Sequence, residues 1–180
     1  TNYILLARII EVIRDTSFEA YMKTELFEPL GMADTRVWNL LSTDSTFANK
    51  ADDFRNFHGF TAPLKPGFLD GVAGDGAVFC SAYDFLIWDR FWEENELISA
   101  ETLQQAFLPP TMHDGTVSDY GFGWVISDKG MWHNGGWLGA RTYISRKPSV
   151  QTCMVVLDNS QNFLLDEIIE QLQKVELGRE

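Results

Sequence analysis

The segment His133-Asn134-Gly135-Gly136-Trp137-Leu138-Gly139 lies between a polar turn, Ser127-Asp128-Lys129-Gly130, and the strand-like run Arg141-Thr142-Tyr143-Ile144-Ser145. This position predicts that a β-strand begins near His133. Two adjacent glycines leave a backbone bare enough for a ligand to approach it closely. An imidazole, a free backbone N–H and the lack of side-chain bulk together predict the edge strand of an active site.

The surrounding sequence has the pattern of an antiparallel sheet. From Tyr120 onward the apolar period is that of strands, and we expect strands over residues 120–126, 131–134, 141–147 and 150–158. Lys147-Pro148-Ser149 separates the last two strands, as the turn of a hairpin would. The second half of the chain therefore predicts a meander.

Helical patterns stand before and after this meander. Residues 3–14 have apolar side chains on most of a helix surface, which predicts a largely buried helix. Thr16 and Glu19 have the spacing of a capping box for a second helix, over residues 17–27. Ser81 and Ser99 are predicted N-caps of two further helices, and residues 163–175 form an amphipathic closing helix. Helices, then a meander, then a helix indicate the α+β class.

Length, composition and net charge restrict the size of the domain and the partners that it can have. With 180 residues, 45% of them hydrophobic, the chain is long enough for a packed domain. We expect one domain fragment, mainly helix and loop over residues 1–115, with antiparallel strands and the closing helix over residues 116–180. A net charge of −12 argues against a nucleic-acid partner, and no apolar run approaches the roughly 20 residues of a membrane span.

Ligand-binding residues of other kinds are few. Cys80 and Cys153 have no second Cys or His at metal-binding spacing, and both are expected to be buried apolar residues. We predict neither a metal site nor a cofactor. The long polar stretch at residues 39–75 is expected to be functional or to wrap around a scaffold.

Five segments occur in the order found in one family. They are Asn2–Glu11, Pro29-Leu30-Gly31-Met32 with Thr35, Ala73–Ser81 with Asp84, Tyr120-Gly121-Phe122-Gly123-Trp124, and His133-Asn134-Gly135-Gly136, with residues 155–159 closing the sheet. Together they resemble the serine β-lactamase and penicillin-binding-protein superfamily, in its class C-like branch of esterases, D-peptidases and β-lactamases. The resemblance implies a β-lactamase/transpeptidase-like fold, an antiparallel sheet flanked by helices, incomplete at its N-terminal side.

The resemblance also implies roles for the opening segment. In this family a Ser attacks an ester or amide carbonyl and forms an acyl-enzyme. The family's third motif, on a strand at the edge of the sheet, is Lys-Thr-Gly or His-x-Gly, and His133 occupies the position of its Lys or His. The N–H of Gly136 matches a donor of the oxyanion hole, so both residues are expected to be catalytic. Asn134, Gly135 and Trp137 are expected to bind substrate, a small molecule or a peptide. Trp124 is predicted to lie in the core and Trp137 at the rim of the cleft.

The attacking group of such a site is missing from the chain. The residues three positions before each Lys are Ala20, Phe47, Ala62, Ile126, Ile144 and Gln171, so Ser-x-x-Lys does not occur. A second motif of the family, Tyr-x-Asn, supplies a Tyr that assists proton transfer, and the family pattern puts its Asn immediately before Thr1. We therefore expect the nucleophile to lie outside these residues, in a missing N-terminal half or a complementary chain.

Three hypotheses remain open at this point. The chain is the C-terminal part of a serine hydrolase, inactive by itself; a non-catalytic binding domain derived from the same fold; or one of two polypeptides that complete the site together. Without its complement, the helix at residues 3–13 and the sheet are expected to expose more apolar surface than a monomer usually does. The sequence leaves the compartment open, and only the resemblance suggests a periplasmic or secreted location.

Overall fold

A computed structural model describes residues 2–42, 46–57, 59–94 and 97–177. The helices are α1 Asn2–Arg14, α2 Phe18–Met22, α3 Glu28–Leu30, α4 Ala82–Glu94, α5 Ala100–Ala106 and α6 Leu165–Leu177. The strands are β1 Arg36–Val37, β2 Phe54–Phe57, β3 Phe60–Pro63, β4 Val78–Phe79, β5 Val125–Ser127, β6 Gly130–Trp137, β7 Ala140–Lys147 and β8 Thr152–Asp158.

The chain forms two compact units. The first contains Thr1–Asp52 and Lys65–Glu93, and the second contains Asp53–Leu64 and Glu94–Glu180. Helix α5 thus belongs to the same unit as the strands that follow it, and so does the β2–β3 hairpin. The predicted single domain, with its change of character near residue 115, stays a prediction.

Helix α1 is less buried than its composition predicts. Ala7 is its one buried residue among those described, while an apolar face remains exposed: Leu5, Leu6, Ile9, Val12 and Ile13. Ala7 is buried because the loop at Gly74 lies against it, and a Cβ at Gly74 would come within 2.7 Å of the Cβ of Ala7. The prediction of a largely buried helix was therefore wrong, whereas the expected exposure of apolar surface is found.

The second helix begins with a different cap from the one expected. Ser17 is its N-cap and accepts a hydrogen bond from the N–H of Ala20, so the predicted capping box of Thr16 and Glu19 does not form. The carboxylate of Glu19 accepts a hydrogen bond from the hydroxyl of Ser42 instead. The helical path continues through a π-turn, Lys23–Phe27, into α3.

Helix α3 ends where glycine is needed. Gly31 adopts a left-handed conformation with φ of 77°, which glycine reaches without strain. The chain reverses there and places Met32 in a buried cluster with Phe27 and Val37. The Pro-Leu-Gly-Met segment is thus a helix stop followed by a core anchor. β1, which contains Val37, pairs with β4 as a two-stranded sheet in this unit.

A four-stranded antiparallel sheet, in the order β5-β6-β7-β8, dominates the second unit. The predicted meander is present with different bounds: β5 is shorter than residues 120–126, and β6 extends through both glycines to Trp137. The extension occurs because Gly135 and Gly136 pair in register with Thr142 and Arg141 of β7. The turn after Lys147 is a 3-10 turn, Pro148–Val150, as expected of a hairpin connection.

The stretch at residues 39–75 contains a hairpin that the sequence pattern did not reveal. Its strands, β2 and β3, pair from Phe54 with Pro63 to Phe57 with Phe60. The N–H of Phe54 donates to the carbonyl of Asn159 at 2.7 Å. A Cβ at Gly139 would lie 2.6 Å from backbone atoms of Phe54, so the β6–β7 turn touches β2 where glycine alone fits.

One face of the main sheet carries α6. Leu165 is buried, and the amide of Gln173 donates to the hydroxyl of Tyr143 on β7 at 3.0 Å. Near the start of the helix, the guanidinium of Arg141 holds the carboxylate of Asp166 at 2.9 Å. Within the described part of the chain, no helix combines the length and the apolarity that crossing a membrane requires.

Candidate active site

The candidate site is the half of β6 that extends past its neighbour. β5 pairs with Gly130, Met131 and Trp132 only. From His133 to Trp137, β7 is the one described strand that pairs with β6, so this half has an open edge. The edge strand predicted at His133 is therefore the C-terminal half of β6. The strand itself begins earlier, at Gly130.

Strand alternation divides the segment between two faces. His133, Gly135 and Trp137 lie on one face, and Asn134 and Gly136 lie on the other. Tyr143, whose hydroxyl contacts α6, pairs with Asn134 and marks the helix-covered face. His133 therefore lies on the face opposite α6, four residues along the strand from Trp137.

Gly135 must be small for a reason within the sheet. A Cβ at this position would lie 2.6 Å from the Oγ1 of Thr142, its partner on β7. Thr is branched at Cβ, so its side chain has few alternative rotamers with which to yield. Gly135 thus has no side chain because Thr142 occupies the adjacent space, and the surface between His133 and Trp137 includes the side chain of Thr142. Trp137 is 55% exposed at the end of this strip.

The backbone of Gly136 faces the open edge. Trp137 and Ala140 flank a two-residue turn, so they are the closing, hydrogen-bonded pair of the hairpin. Hydrogen-bonded and non-hydrogen-bonded pairs alternate along antiparallel strands, and the Gly136–Arg141 pair is consequently of the second type. The N–H and C=O of Gly136 point away from β7. A Cβ at Gly136 would meet nothing within 4 Å.

The imidazole of His133 is held by a phenol. Its Nε2 and the hydroxyl of Tyr120 are 2.9 Å apart, a hydrogen-bond distance. The two rings are tilted by 58°, with 5.8 Å between their centroids. Both side chains are half-buried. The pair places two titratable groups on the face of β6 that also carries Gly135 and Trp137.

The segment Tyr120-Gly121-Phe122-Gly123-Trp124 fixes Tyr120 beside β6. A Cβ at Gly121 would lie 2.6 Å from the carbonyl oxygen of Ala106, and Gly123 has a φ of 82°. The N–H of Gly121 donates to the carbonyl of Trp124 at 2.8 Å, and Trp124 is buried as predicted. The two glycines permit a tight turn, and the buried tryptophan anchors it.

The structure brings together the residues predicted from the His-Asn-Gly-Gly segment and adds one to them. His133, Gly135 and Trp137 share a face, and the backbone of Gly136 opens to the edge. Asn134 is exposed on the opposite face, so its side chain does not join His133. Tyr120 was not predicted as a site residue, because its link to His133 depends on how β5 and β6 pair. No group of three His, Cys, Asp or Glu side chains suited to a metal ion occurs among the described residues.

Comparison with known proteins gives a consistent result. A family model described as Beta-lactamase matches residues 1–176. A curated relative, penicillin-binding protein 4* of Bacillus subtilis (strain 168), is 32% identical over 175 residues, which are 89% of this chain and 39% of that protein. The chain thus spans about two fifths of the length of this relative.

Solved structures share the fold. A penicillin-binding protein from Bacillus halodurans has a TM-score of 0.75 and 20% identity, with 94% of this chain and 53% of that chain covered. A D-amino acid amidase from Ochrobactrum anthropi SV3 has a TM-score of 0.74 and 19% identity, with 99% and 56% covered. The α+β class and the resemblance to the β-lactamase and penicillin-binding-protein superfamily, both predicted from sequence, are confirmed.

Proposed function

The chain belongs to the beta-lactamase family, and on that premise we propose that it forms part of a serine hydrolase that works through an acyl-enzyme. Its part of the site is the substrate-binding strand. His133 contacts the bound substrate, and the N–H of Gly136 stabilises the oxyanion. Gly135 and Trp137 line the path of the substrate, and Asn134 supports it from the other side of the strand.

The open half of β6 is the observation that carries this proposal. An oxyanion donor must point at the position where negative charge develops, and it must not be used by the sheet. Gly136 meets both requirements, because its N–H points away from β7 and no described strand pairs with it on that side. Gly135 has no side chain, so a substrate can lie against the strand at this position. His133 and Trp137 lie at the two ends of this stretch, about 13 Å from each other along the strand.

The substrate class follows from this arrangement. An acyl-enzyme requires an ester or amide carbonyl, and the strand edge suits an extended peptide-like ligand that adds its own backbone groups. The solved D-amino acid amidase and the curated penicillin-binding protein support an amide or D-amino-acid peptide. His133 stands where a Lys would supply a permanent cation for a substrate carboxylate, and this difference disfavours a penicillin-hydrolysing role.

The nucleophile is proposed to lie outside these 180 residues. Ser-x-x-Lys does not occur in the sequence, and the relative that matches 89% of the chain is about two and a half times as long. A serine-directed covalent probe, such as a fluorophosphonate that phosphonylates the attacking Ser with loss of fluoride, should label a protein that contains both these residues and a Ser-x-x-Lys segment. The isolated 180-residue chain should not be labelled. Labelling of a Ser within residues 1–180 would refute this division of roles, and an unlabelled longer protein would favour a binding domain.

Apolar faces support the presence of a complement. Besides the exposed face of α1, helix α6 and the residue just before it present a row of exposed apolar side chains: Leu164, Ile168, Leu172 and Val175. This row borders a shallow groove, although Gln173 and Asp166 of the same helix already contact Tyr143 and Arg141 of β7. Two unpaired apolar helix faces are more than a stable monomer usually exposes. We expect the part of the family fold that this chain lacks to cover them.

Light scattering on the isolated chain tests this expectation. It should associate or aggregate, and Ile168→Glu with Leu172→Glu should reduce the association. The matched control is Glu170→Gln with Lys174→Gln, two exposed positions of the same helix that should leave association unchanged. A stable monomer at high concentration would contradict the proposal.

A further inference from the structure

We infer that Tyr120 is a positioning residue for His133, which it holds as the neutral tautomer that presents Nδ1–H to an oxygen acceptor of the substrate. The inference rests on the proposed role of His133 at the substrate, and it adds which ring nitrogen faces the ligand and why. The acceptor class is a carbonyl or carboxylate oxygen.

The contact itself assigns the two nitrogens. Nε2 of His133 is 2.9 Å from the hydroxyl of Tyr120. Among the described residues, no other hydrogen-bond partner of His133 is found, and its Nδ1 is not one of the fully buried side-chain nitrogens that lack a partner, so Nδ1 is accessible. A ligand on this face of β6 therefore meets Nδ1 and not Nε2.

The direction of the hydrogen bond follows from relative acidity. A phenol is a stronger acid than a neutral imidazole N–H, and an imidazole nitrogen is a stronger base than a phenol oxygen. For a neutral pair, O–H donating to N is therefore the more stable polarity. Tyr120 then donates to Nε2, and the ring proton must be on Nδ1. This nitrogen is a donor, so the group that it binds must be an acceptor.

The fold around Tyr120 is built to hold the phenol in place. The N–H of Tyr120 donates to the hydroxyl of Ser118 at 3.1 Å, and its backbone forms a bridge with Val125 of β5. Gly121 fits where no side chain would, against the carbonyl of Ala106. The Tyr-Gly-Phe-Gly-Trp motif, whose role the proposed function leaves open, thus becomes the support of the His133 tautomer.

Nitrogen NMR of histidine-labelled protein tests the inference directly. His133→Gln assigns the resonances among the three histidines. In the unsubstituted protein at a pH where His133 is neutral, Nδ1 should have the shift of a protonated ring nitrogen and Nε2 that of an unprotonated one. Tyr120→Phe removes the hydroxyl and keeps the ring, and the proton should then move mainly to Nε2.

Tyr143→Phe is the matched control. It removes a hydroxyl from the same sheet on the opposite face, where the partner is Gln173, and should leave the His133 tautomer unchanged. Protonated Nε2 in the unsubstituted protein would overturn the inference, even if Tyr120→Phe does not fold. So would an unchanged tautomer in Tyr120→Phe.

Activity provides a second readout and separates the two proposals. In a protein that holds the nucleophile, Tyr120→Phe should lower kcat/KM roughly tenfold, the contribution of about one hydrogen bond. If the tautomer is as expected and no substrate is turned over, the proposed function fails and the positioning role of Tyr120 stands. If turnover is found and the tautomer is reversed, the positioning role fails alone.

Discussion

The hydroxyl of Thr35 donates a 2.6 Å hydrogen bond to the carboxylate of Asp84, which follows 49 residues later in the chain. Both side chains are buried, at 8% and 4% exposure. The same carboxylate oxygen accepts the N–H of Asp34 at 2.8 Å, and the N–H of Asp84 donates to Ser81, which caps α4. The bond joins two motifs that the sequence presents separately.

Removing this hydroxyl should destabilise the first unit. Thr35→Val keeps the shape of the side chain but takes one partner from a buried carboxylate, which should cost about 1–3 kcal/mol of unfolding free energy. Thr35→Ser keeps the hydroxyl and loses one methyl group, at a cost of about 1 kcal/mol or less. Urea unfolding followed by circular dichroism measures both. If Ser were as damaging as Val, packing and not the hydrogen bond would hold Thr35.

Local features of this fold could be predicted from the sequence. Ser81 and Ser99 cap α4 and α5 because a Ser hydroxyl can satisfy an N–H three residues ahead whatever the rest of the chain does. The stop at Gly31 and the strand pattern of β7 depend equally on neighbouring residues. Thr16 and Ser17 show where such local prediction fails. Both side chains can cap a helix, and the sequence does not indicate that Ser17 is the one that does so.

Features that depend on pairing between distant residues could not be predicted. The contact of Tyr120 with His133 requires β5 to begin at Val125, opposite Trp132, and the 13-residue separation gives no hint of this. The β2 strand contacts Gly139 through a packing arrangement with no periodic signature. His133 and the two glycines were identified because their residue types indicate an active-site strand, while the direction of the Gly136 N–H follows from strand register.

The carboxylate of Glu11 should make stability depend on pH. Its hydrogen bonds with the guanidinium of Arg8 and the N–H of Phe18 hold its pKa below the ordinary value of 4.5. A lowered pKa means that the stabilisation is present above the ordinary value and is lost as the pH falls through the folded value. The guanidinium of Arg8 is 70% exposed, so solvent screens its attraction for Glu11, and Glu11→Gln should lower the unfolding free energy at pH 7 by only about 0.5 kcal/mol.

Urea unfolding of the unsubstituted protein and of Glu11→Gln at pH 7 and near pH 3.5 measures this, and the difference should shrink at the lower pH. Glu25→Gln is the control, because the Glu25–Arg14 ion pair is half-exposed on both sides and contributes little. A Glu11→Gln effect that does not change with pH would mean that the charge of Glu11 is unimportant.

The thiol of Cys80 should be unreactive in the folded protein. Burial raises its pKa to about 11 from 9.0, and the carboxylates of Asp84 and Asp34 add to the shift while Thr35 opposes it. Since the thiolate is the reacting form, its population at pH 8 is about 100-fold below that of an ordinary thiol. In a Cys153→Ser background, iodoacetamide should modify Cys80 slowly when folded and at the ordinary rate in guanidinium, as measured by mass spectrometry. Equal rates in both conditions would show that Cys80 is accessible and ionised normally.

Two substitutions of Gly136 can separate the role of its backbone N–H from the effect of its missing side chain. Gly136→Pro removes the N–H, and the sheet tolerates this because the N–H points away from β7. Gly136→Ala keeps the N–H and adds a Cβ that meets nothing within 4 Å. If this N–H stabilises the oxyanion, Pro should lower kcat by about 10²–10³-fold in a protein that holds the nucleophile, and Ala should change it little.

Steady-state kinetics on an ester substrate gives the comparison, and circular dichroism shows whether each variant keeps its sheet. The prediction depends on the difference between the two variants. A general disturbance of β6 would reduce activity with Pro and with Ala alike, whereas loss of a donor reduces it with Pro alone. Unchanged kcat in Gly136→Pro would show that the oxyanion donor is not on this strand. His133 and Trp137 would then have a role in binding only.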